Sequence, residues 1–218
     1  MKIQNIIFDL DGTLLDSMPA WMGTGKEYLE KYGYPVPDDL QKRVQTMTLY
    51  QTVDYFRKEL GVAESSEHIV SEIISYVAEK YRSSIPTKGH VLEFLQTQKK
   101  KGVRMSILTA SESDYARPAI ERLGISPYMD RFVTCTELGC FKGDGTPYLE
   151  VMRQMDGTVE NTLVIEDALY AIRGAKKAGF LVYAIADAIT EPKEAPVRAE
   201  ADLYFYDFQE LLDQNLPQ

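Results

Sequence analysis

Two aspartates one residue apart, Asp9 and Asp11, close an apolar run at the N-terminus, and a second acidic pair, Glu166 and Asp167, closes another far downstream. A carboxylate with an ordinary pKa near ~4 is ionised at neutral pH, so it can act as a nucleophile without a base to activate it. A second carboxyl beside it can carry protons as a general acid and base. Other chemistries find little support. The two histidines, His68 and His90, are far apart in sequence and no G-x-S-x-G elbow occurs, which disfavours a Ser-His or Cys-His relay. Cys135 and Cys140 lack a second Cys/His pair to complete a zinc site and read as buried or incidental thiols. A calcium loop starting at Asp9 would need Gly where Leu14 stands and Glu where Ala20 stands. The run Gly143-x-Gly145 fails the dinucleotide fingerprint, because Tyr148 occupies the third glycine position and Pro147 precedes it.

The elements around these residues follow from hydrophobic periodicity. Residues 3–8 are short and apolar on both faces, the pattern of a buried parallel strand. From about 17 to 84 the text turns helical: Val70, Ile73, Ile74, Val77 and Tyr81 fall on one helix face, and Pro35 and Pro37 after Gly33 divide the region. Beyond Pro86 the pattern alternates. Helices are expected over 90–101, 114–123, 146–155 and 169–178, and strands over 103–108, 131–135, 162–165, 181–185 and 203–205, with a last helix at the C-terminus. Gly179 stands where a helix-stopping glycine is expected. This alternation implies an α/β fold, a Rossmann-like parallel sheet with helices on both faces. The first strand belongs to that sheet, so the helical stretch is an insertion: 1–15 and 86–218 form the core, and 16–85 an all-helical cap domain.

Composition narrows the partners. The chain has 218 residues, 44% hydrophobic and 26% charged, which is ordinary globular usage. A formal charge of −9 argues against nucleic acid and anionic membrane surfaces, which are held by Lys and Arg. A small phosphorylated metabolite needs only a local cationic pocket and stays possible. The run Ile6-Ile7-Phe8 is cut at once by Asp9 and is neither a signal-peptide core nor an anchor, so a cytoplasmic location is expected. Oligomeric state is not legible.

In an open parallel sheet, ligands bind beyond the carboxyl ends of the strands. Asp9 and Asp11 follow the first strand, Thr109 the second, Lys142 the third, and Glu166 and Asp167 the fourth. Taken singly, each has an ordinary reading: Asp11-Gly12 a turn, Thr109 a strand-end hydroxyl, Lys142 a solvated loop lysine, and Glu166-Asp167 acidic residues complementing a helix dipole. Together they project to one edge. The segment Phe8-Asp9-Leu10-Asp11-Gly12-Thr13-Leu14 resembles the signature of the haloacid dehalogenase superfamily, and Thr109, Lys142 and Glu166-Asp167 match its other three motifs in order. The resemblance covers essentially the whole chain, and the helical insertion is similar to the cap of the beta-phosphoglucomutase-like branch.

The resemblance implies a phosphatase of small phosphorylated metabolites, with Asp9 as nucleophile and Asp11 as acid/base; in the family this second aspartate separates phosphotransferases from dehalogenases. It also implies magnesium, since acidic side chains would repel a phosphate dianion and an oxygen-only ligand set suits that ion. Asp9, the Asp11 backbone carbonyl and Asp167 are the expected ligands, with Glu166 ligating directly or through water. Thr109 would donate to a phosphate oxygen, Lys142 would offset charge at Asp9 and in the transition state, and the backbone around Leu10, Asp11 and Ala110 would complete the phosphate cradle.

Some positions depart from the family's pattern. Two prolines usually follow the lysine, whereas Gly143-Asp144-Gly145 follows Lys142 here and implies a more flexible loop. Ala168 stands where Ser or Thr is frequent. Beta-phosphoglucomutases carry Lys and Arg in the cap segment matching Gln45-Thr46-Met47-Thr48-Leu49-Tyr50, and no basic residue appears in this stretch. That favours hydrolysis over mutase action, the alternative; a catalytically weak regulatory homologue is a further one, and a phosphonatase would need a cap lysine, for which Lys26 and Lys42 are candidates by location only. Trp21, Met22, Met47, Leu49 and Tyr50 read as ordinary core or as a wall for the leaving group.

Overall fold

The computed structural model describes residues 2–44, 47–187, 194–214 and 216–217. They form two compact units, one from Met1–Asp16 and Pro86–Gln218, the other from Ser17–Ile85.

The first unit is built on six parallel strands: β1 (Asn5–Phe8), β2 (Arg104–Thr109), β3 (Arg131–Thr134), β4 (Thr162–Glu166), β5 (Leu181–Ile185) and β6 (Leu203–Phe205), in the order β3-β2-β1-β4-β5-β6. Successive side chains of β1 face opposite sides. Phe8 meets Phe94 of helix α5 (Val91–Lys100) and Phe208 of helix α11 (Phe208–Gln214), with ring centroids 6.2 and 6.4 Å away. Ile7 packs on the other side with Tyr148, Val151 and Ile172, from helices α8 (Thr146–Gln154) and α9 (Leu169–Lys177). Each large apolar side chain buried this way stabilises by roughly 1.5–3 kcal/mol. Helix α6 (Ser113–Arg122) completes the larger helices between strands.

Register decides where chemistry can occur. Phe8 stands opposite both Ile107 and Ile165, so Asp9, Thr109 and Glu166-Asp167 leave the sheet along one edge. The chain runs from β1 outward through β2 and β3, then returns to the other side of β1 with β4. This reversal is the topological switch point at which open α/β sheets hold ligands.

Two short helices lie where none was expected. Helix α7 (Cys135–Leu138) begins where strand was expected to continue, because Thr134 and Glu137 form a capping box and Gly139 ends the turn at φ +60°. The signature T-x-x-E was readable, and local capping overrode the apolar run. Helix α10 (Glu194–Glu200) precedes β6.

The described elements of the second unit are all helices, joined by turns and coil: α1 (Met18–Lys31), α2 (Leu40–Val44), α3 (Leu49–Glu59) and α4 (Ser66–Ser83). Ile69, Ile73, Val77 and Tyr81 line the buried face of α4 at four-residue intervals. The expected stripe is therefore shifted: Val70 and Ile74 lie at its margin, half-buried. Among the described residues, no helix is long and apolar enough to cross a membrane.

The segment after β3 is not a loose loop. Lys142–Asp144 form a 3-10 turn, Gly145 adopts φ +81°, and the turn lies against α9. The approach is so close that a Cβ on Gly174 would collide with the Lys142 carbonyl oxygen and come within 2.9 Å of the Gly143 backbone. Helix propensity alone favours alanine over glycine by about 1 kcal/mol, but overpacking against backbone costs about 1–3 kcal/mol. Gly174→Ala is therefore expected to lower stability, seen as an earlier urea midpoint; an unchanged or later midpoint would contradict this packing.

Candidate active site

The turn after β1 is wound tightly: Leu14 and Leu15 both donate backbone N–H groups to the Leu10 carbonyl, and Gly12 donates to that of Leu15. Gly12 has φ +82°, and a Cβ there would lie 2.5 Å from Oδ2 of Asp167. Only glycine fits, both for its backbone angle and for the carboxyl pressed against it. The buried Thr13 hydroxyl reaches Oδ1 of the same Asp167 at 3.5 Å.

Lys142 is buried at 2% exposure, and its ammonium bonds Oδ1 of Asp9 and, at 2.7 Å, Oε1 of Glu166. Tyr148 also donates to Glu166 Oε1, at 3.0 Å, while the backbone N–H groups of Asp167 and Ala168 donate to Oε2 at 2.9 Å each. A carboxylate has about four acceptor positions. Glu166 therefore spends its acceptors on protein donors. Asp9, Glu166 and Asp167 each present an oxygen within 4.8 Å of the others, and all three are buried.

Three buried carboxyls against one ammonium leave two excess negative charges when all are ionised. Burial pushes Asp9 up to about 7; Lys142 opposes this, and Glu166 and Asp11 add to it. Asp167 is raised well above the ordinary carboxyl range, again by burial first and then by Glu166 and Asp9. Burial works against the charge of Lys142, yet Asp9 and Glu166 outweigh it and hold the ammonium protonated. A divalent cation suits such a cluster: the donors are all oxygen, and its charge matches the excess.

Asp11 turns elsewhere. Its Oδ2 accepts from the Ser111 hydroxyl at 2.6 Å, and the Ser111 backbone N–H donates to Thr109 Oγ1 at 2.9 Å. Asp11, Thr109 and Ser111 thus form a hydrogen-bonded string beside the Lys142 cluster. Leu10 is fully buried in the turn, and Ala110 is exposed. Ser111 and the Tyr148 hydroxyl escaped the sequence reading; the position of Ser111, two residues past a strand-end threonine, was the available signal.

Residues singled out elsewhere have ordinary surroundings. Trp21 Nε1 donates to the Tyr81 hydroxyl, Leu49 packs partly buried on the helical unit's core, and Tyr50 is exposed. Lys26 pairs with Glu30, and Lys42 is exposed. Gln45 and Thr46 lie outside the described residues. His90 pairs with Asp207, and His68 contacts the Tyr32 hydroxyl.

Residues 6–185 match the model of the haloacid dehalogenase-like hydrolases. The chain belongs to that family. Among curated relatives, the phosphorylated carbohydrates phosphatase of Thermotoga maritima is 23% identical over 192 residues, covering 88% of this chain and 89% of that one. Validoxylamine A 7'-phosphate phosphatase of Streptomyces hygroscopicus subsp. limoneus is 24% identical over 206 residues, 94% of each chain. Among solved structures of this hydrolase fold, a Thermotoga maritima protein provisionally named a beta-phosphoglucomutase superposes with a TM-score of 0.86 at 23% identity, over 98% of this chain and 100% of that one. CbbY from Rhodobacter sphaeroides, solved with phosphate, superposes with a TM-score of 0.78 at 19% identity, over 96% of each chain.

The raised pKa of Asp9 has a consequence for stability. Between 3.8 and about 7 the folded hydrolase keeps a proton that the unfolded chain has released. Stability from this group is full below 3.8 and is lost as pH rises to about 7. With a chelator present, the stability of the wild type relative to Asp9→Asn is expected to fall across that window and to level off above it, read from urea unfolding. A difference independent of pH would show that Asp9 ionises normally.

Proposed function

We propose that this hydrolase cleaves phosphate monoesters of small metabolites, phosphorylated sugars foremost, with Asp9 as nucleophile, Asp11 as acid/base and magnesium as cofactor. The observation that carries the reading is the contact of a buried lysine with Asp9 and Glu166 at the switch-point edge, with Asp167 beside them. Family membership and the relatives named for phosphatase activity on a carbohydrate phosphate and a 7'-phosphate support it.

In this reading an Asp9 carboxylate oxygen bonds to phosphorus as the ester oxygen departs, and Asp11 gives that oxygen its proton. A water then attacks the aspartyl-phosphate, Asp11 takes the water's proton, and the Asp9–phosphorus bond breaks to release inorganic phosphate. Lys142 holds the attacking carboxylate in place and offsets charge on the transferring phosphoryl group. Thr109 would hydrogen-bond a phosphate oxygen, and the backbone N–H groups of Leu10, Asp11 and Ala110 would contribute to the cradle. Asp9 and Asp167 would hold the cation, together with the Asp11 backbone carbonyl; when bound it supplies the positive charge that lets an anionic ester approach a carboxylate. Glu166, with its acceptors already engaged, adds charge and fixes Lys142. Ser111 positions Asp11.

Purified protein with magnesium and a panel of phosphorylated metabolites should release inorganic phosphate. Release no greater than that of Asp9→Asn would refute the reading, and phosphate moved between positions of one sugar with little set free would indicate a mutase. Asp11→Asn should lower kcat by about 10²–10⁴. Ser111→Ala removes one hydrogen bond to the Asp11 carboxyl, worth about 1 kcal/mol, and should lower kcat about fivefold with KM little changed. A Ser111→Ala effect confined to KM would assign that hydroxyl to substrate binding instead.

A further inference from the structure

Among the described residues, few large apolar side chains are exposed, and two of them touch: Phe141 is 57% exposed and Tyr170 45%. Their rings stack with centroids 5.1 Å apart and planes 5° from parallel. Other aromatic contacts of the core unit, such as Phe94 with Phe208 and Tyr148 with Phe180, are buried and tilted. Stacking covers one face of each ring, yet the pair still leaves a contiguous aromatic surface in water, the kind of patch that marks a contact site.

Local structure fixes the pair. Phe141 immediately precedes Lys142, and its ring lies over Gly143, where a Cβ would run into it. Tyr170 stands one helical turn past Asp167, in the first turn of α9. Burial, then the charge of Glu166, raises the pKa of its hydroxyl, with Lys142, Asp9 and Asp167 also felt. Next to Lys142 and three residues past Asp167 in the chain, the stacked and partly exposed rings form a rim beside the cluster. A phosphoryl group held by Asp9 and Lys142 leaves the remainder of the molecule to reach this rim.

We propose that Phe141 and Tyr170 form a stacking platform for the substrate's leaving group, selecting monoesters whose alcohol carries a ring with a flat, weakly polar face. The inference rests on the hydrolase reading above and names the chemistry of its leaving group. It also gives Gly143 a use, since a side chain there would push the Phe141 ring off Tyr170. Aromatic and sugar rings share the required face, because an aromatic surface is large, rigid and able to stack.

Binding tests this apart from turnover. The full chain with magnesium is titrated in a calorimeter with three non-hydrolysable phosphonates: phenylphosphonate, the methylene-phosphonate analogue of glucose 6-phosphate, and methylphosphonate. Wild type should bind at least one ring-bearing ligand about five- to tenfold tighter than methylphosphonate, as expected for one aromatic stack. That ratio should fall to about one in Phe141→Ala and persist in Phe141→Trp, which keeps a ring. A ratio shown only by phenylphosphonate assigns an aromatic leaving group, and one shown by the sugar analogue a sugar ring. No ring preference in wild type, a preference untouched by Phe141→Ala, or equal loss in Phe141→Trp would overturn the platform. Absence of phosphate release with the ring preference intact would instead sink the hydrolase reading and leave the platform standing.

Discussion

The ammonium of Lys142 is shared, out of contact with water, between Asp9 and Glu166, with the carboxyl of Asp167 close by. One positive charge cannot balance three negative ones, and removing charges from water is costly unless they are paired and hydrogen-bonded. The surroundings reduce that cost. Tyr148 and two backbone N–H groups satisfy Glu166, leaving Lys142 a firmly ionised anchor. What remains uncompensated falls on Asp9 and Asp167, the two groups whose pKa values burial raises. The frustration is thus concentrated where an added cation and an anionic ester would relieve it.

Close approach of backbone makes the cluster possible. Gly12 lets the turn after β1 come up against Asp167, and Gly174 lets the Lys142 turn settle on α9. A methyl group at either position would separate elements that must touch. The glycines after Lys142 therefore act by fit more than by freedom: Gly145 takes a left-handed angle beside Gly174, and Gly143 leaves room for the Phe141 ring. Where the resembling family's pattern has prolines to stiffen the backbone, this chain holds its lysine by packing.

The two hydrogen-bonded groups divide the proposed chemistry. Lys142 and Glu166 restrain Asp9, whereas Ser111 restrains Asp11 and is itself tied to Thr109. Two carboxyls two residues apart in sequence thereby reach different environments, which is how similar side chains come to serve as nucleophile and proton carrier.

The alternation of apolar strands with helical segments, and the polar residues following each strand, were legible because periodicity and strand-end position are local properties of the chain. The identity of Asp9, Asp11, Thr109, Lys142, Glu166 and Asp167 as candidates belongs to the same level. Short elements were less legible: α7 appeared where a capping box outcompeted an apolar run, and the buried face of α4 differed from the expected stripe because Ile69 joins Ile73, Val77 and Tyr81 at four-residue spacing. Strand order, the contact of Lys142 with Glu166 as well as Asp9, the turning of Asp11 toward Ser111, and the stacking of Phe141 on Tyr170 were decided only by tertiary structure. Each joins residues distant in sequence or on separate elements, and only the packed chain fixes their distances and the loss of water that gives those contacts their strength.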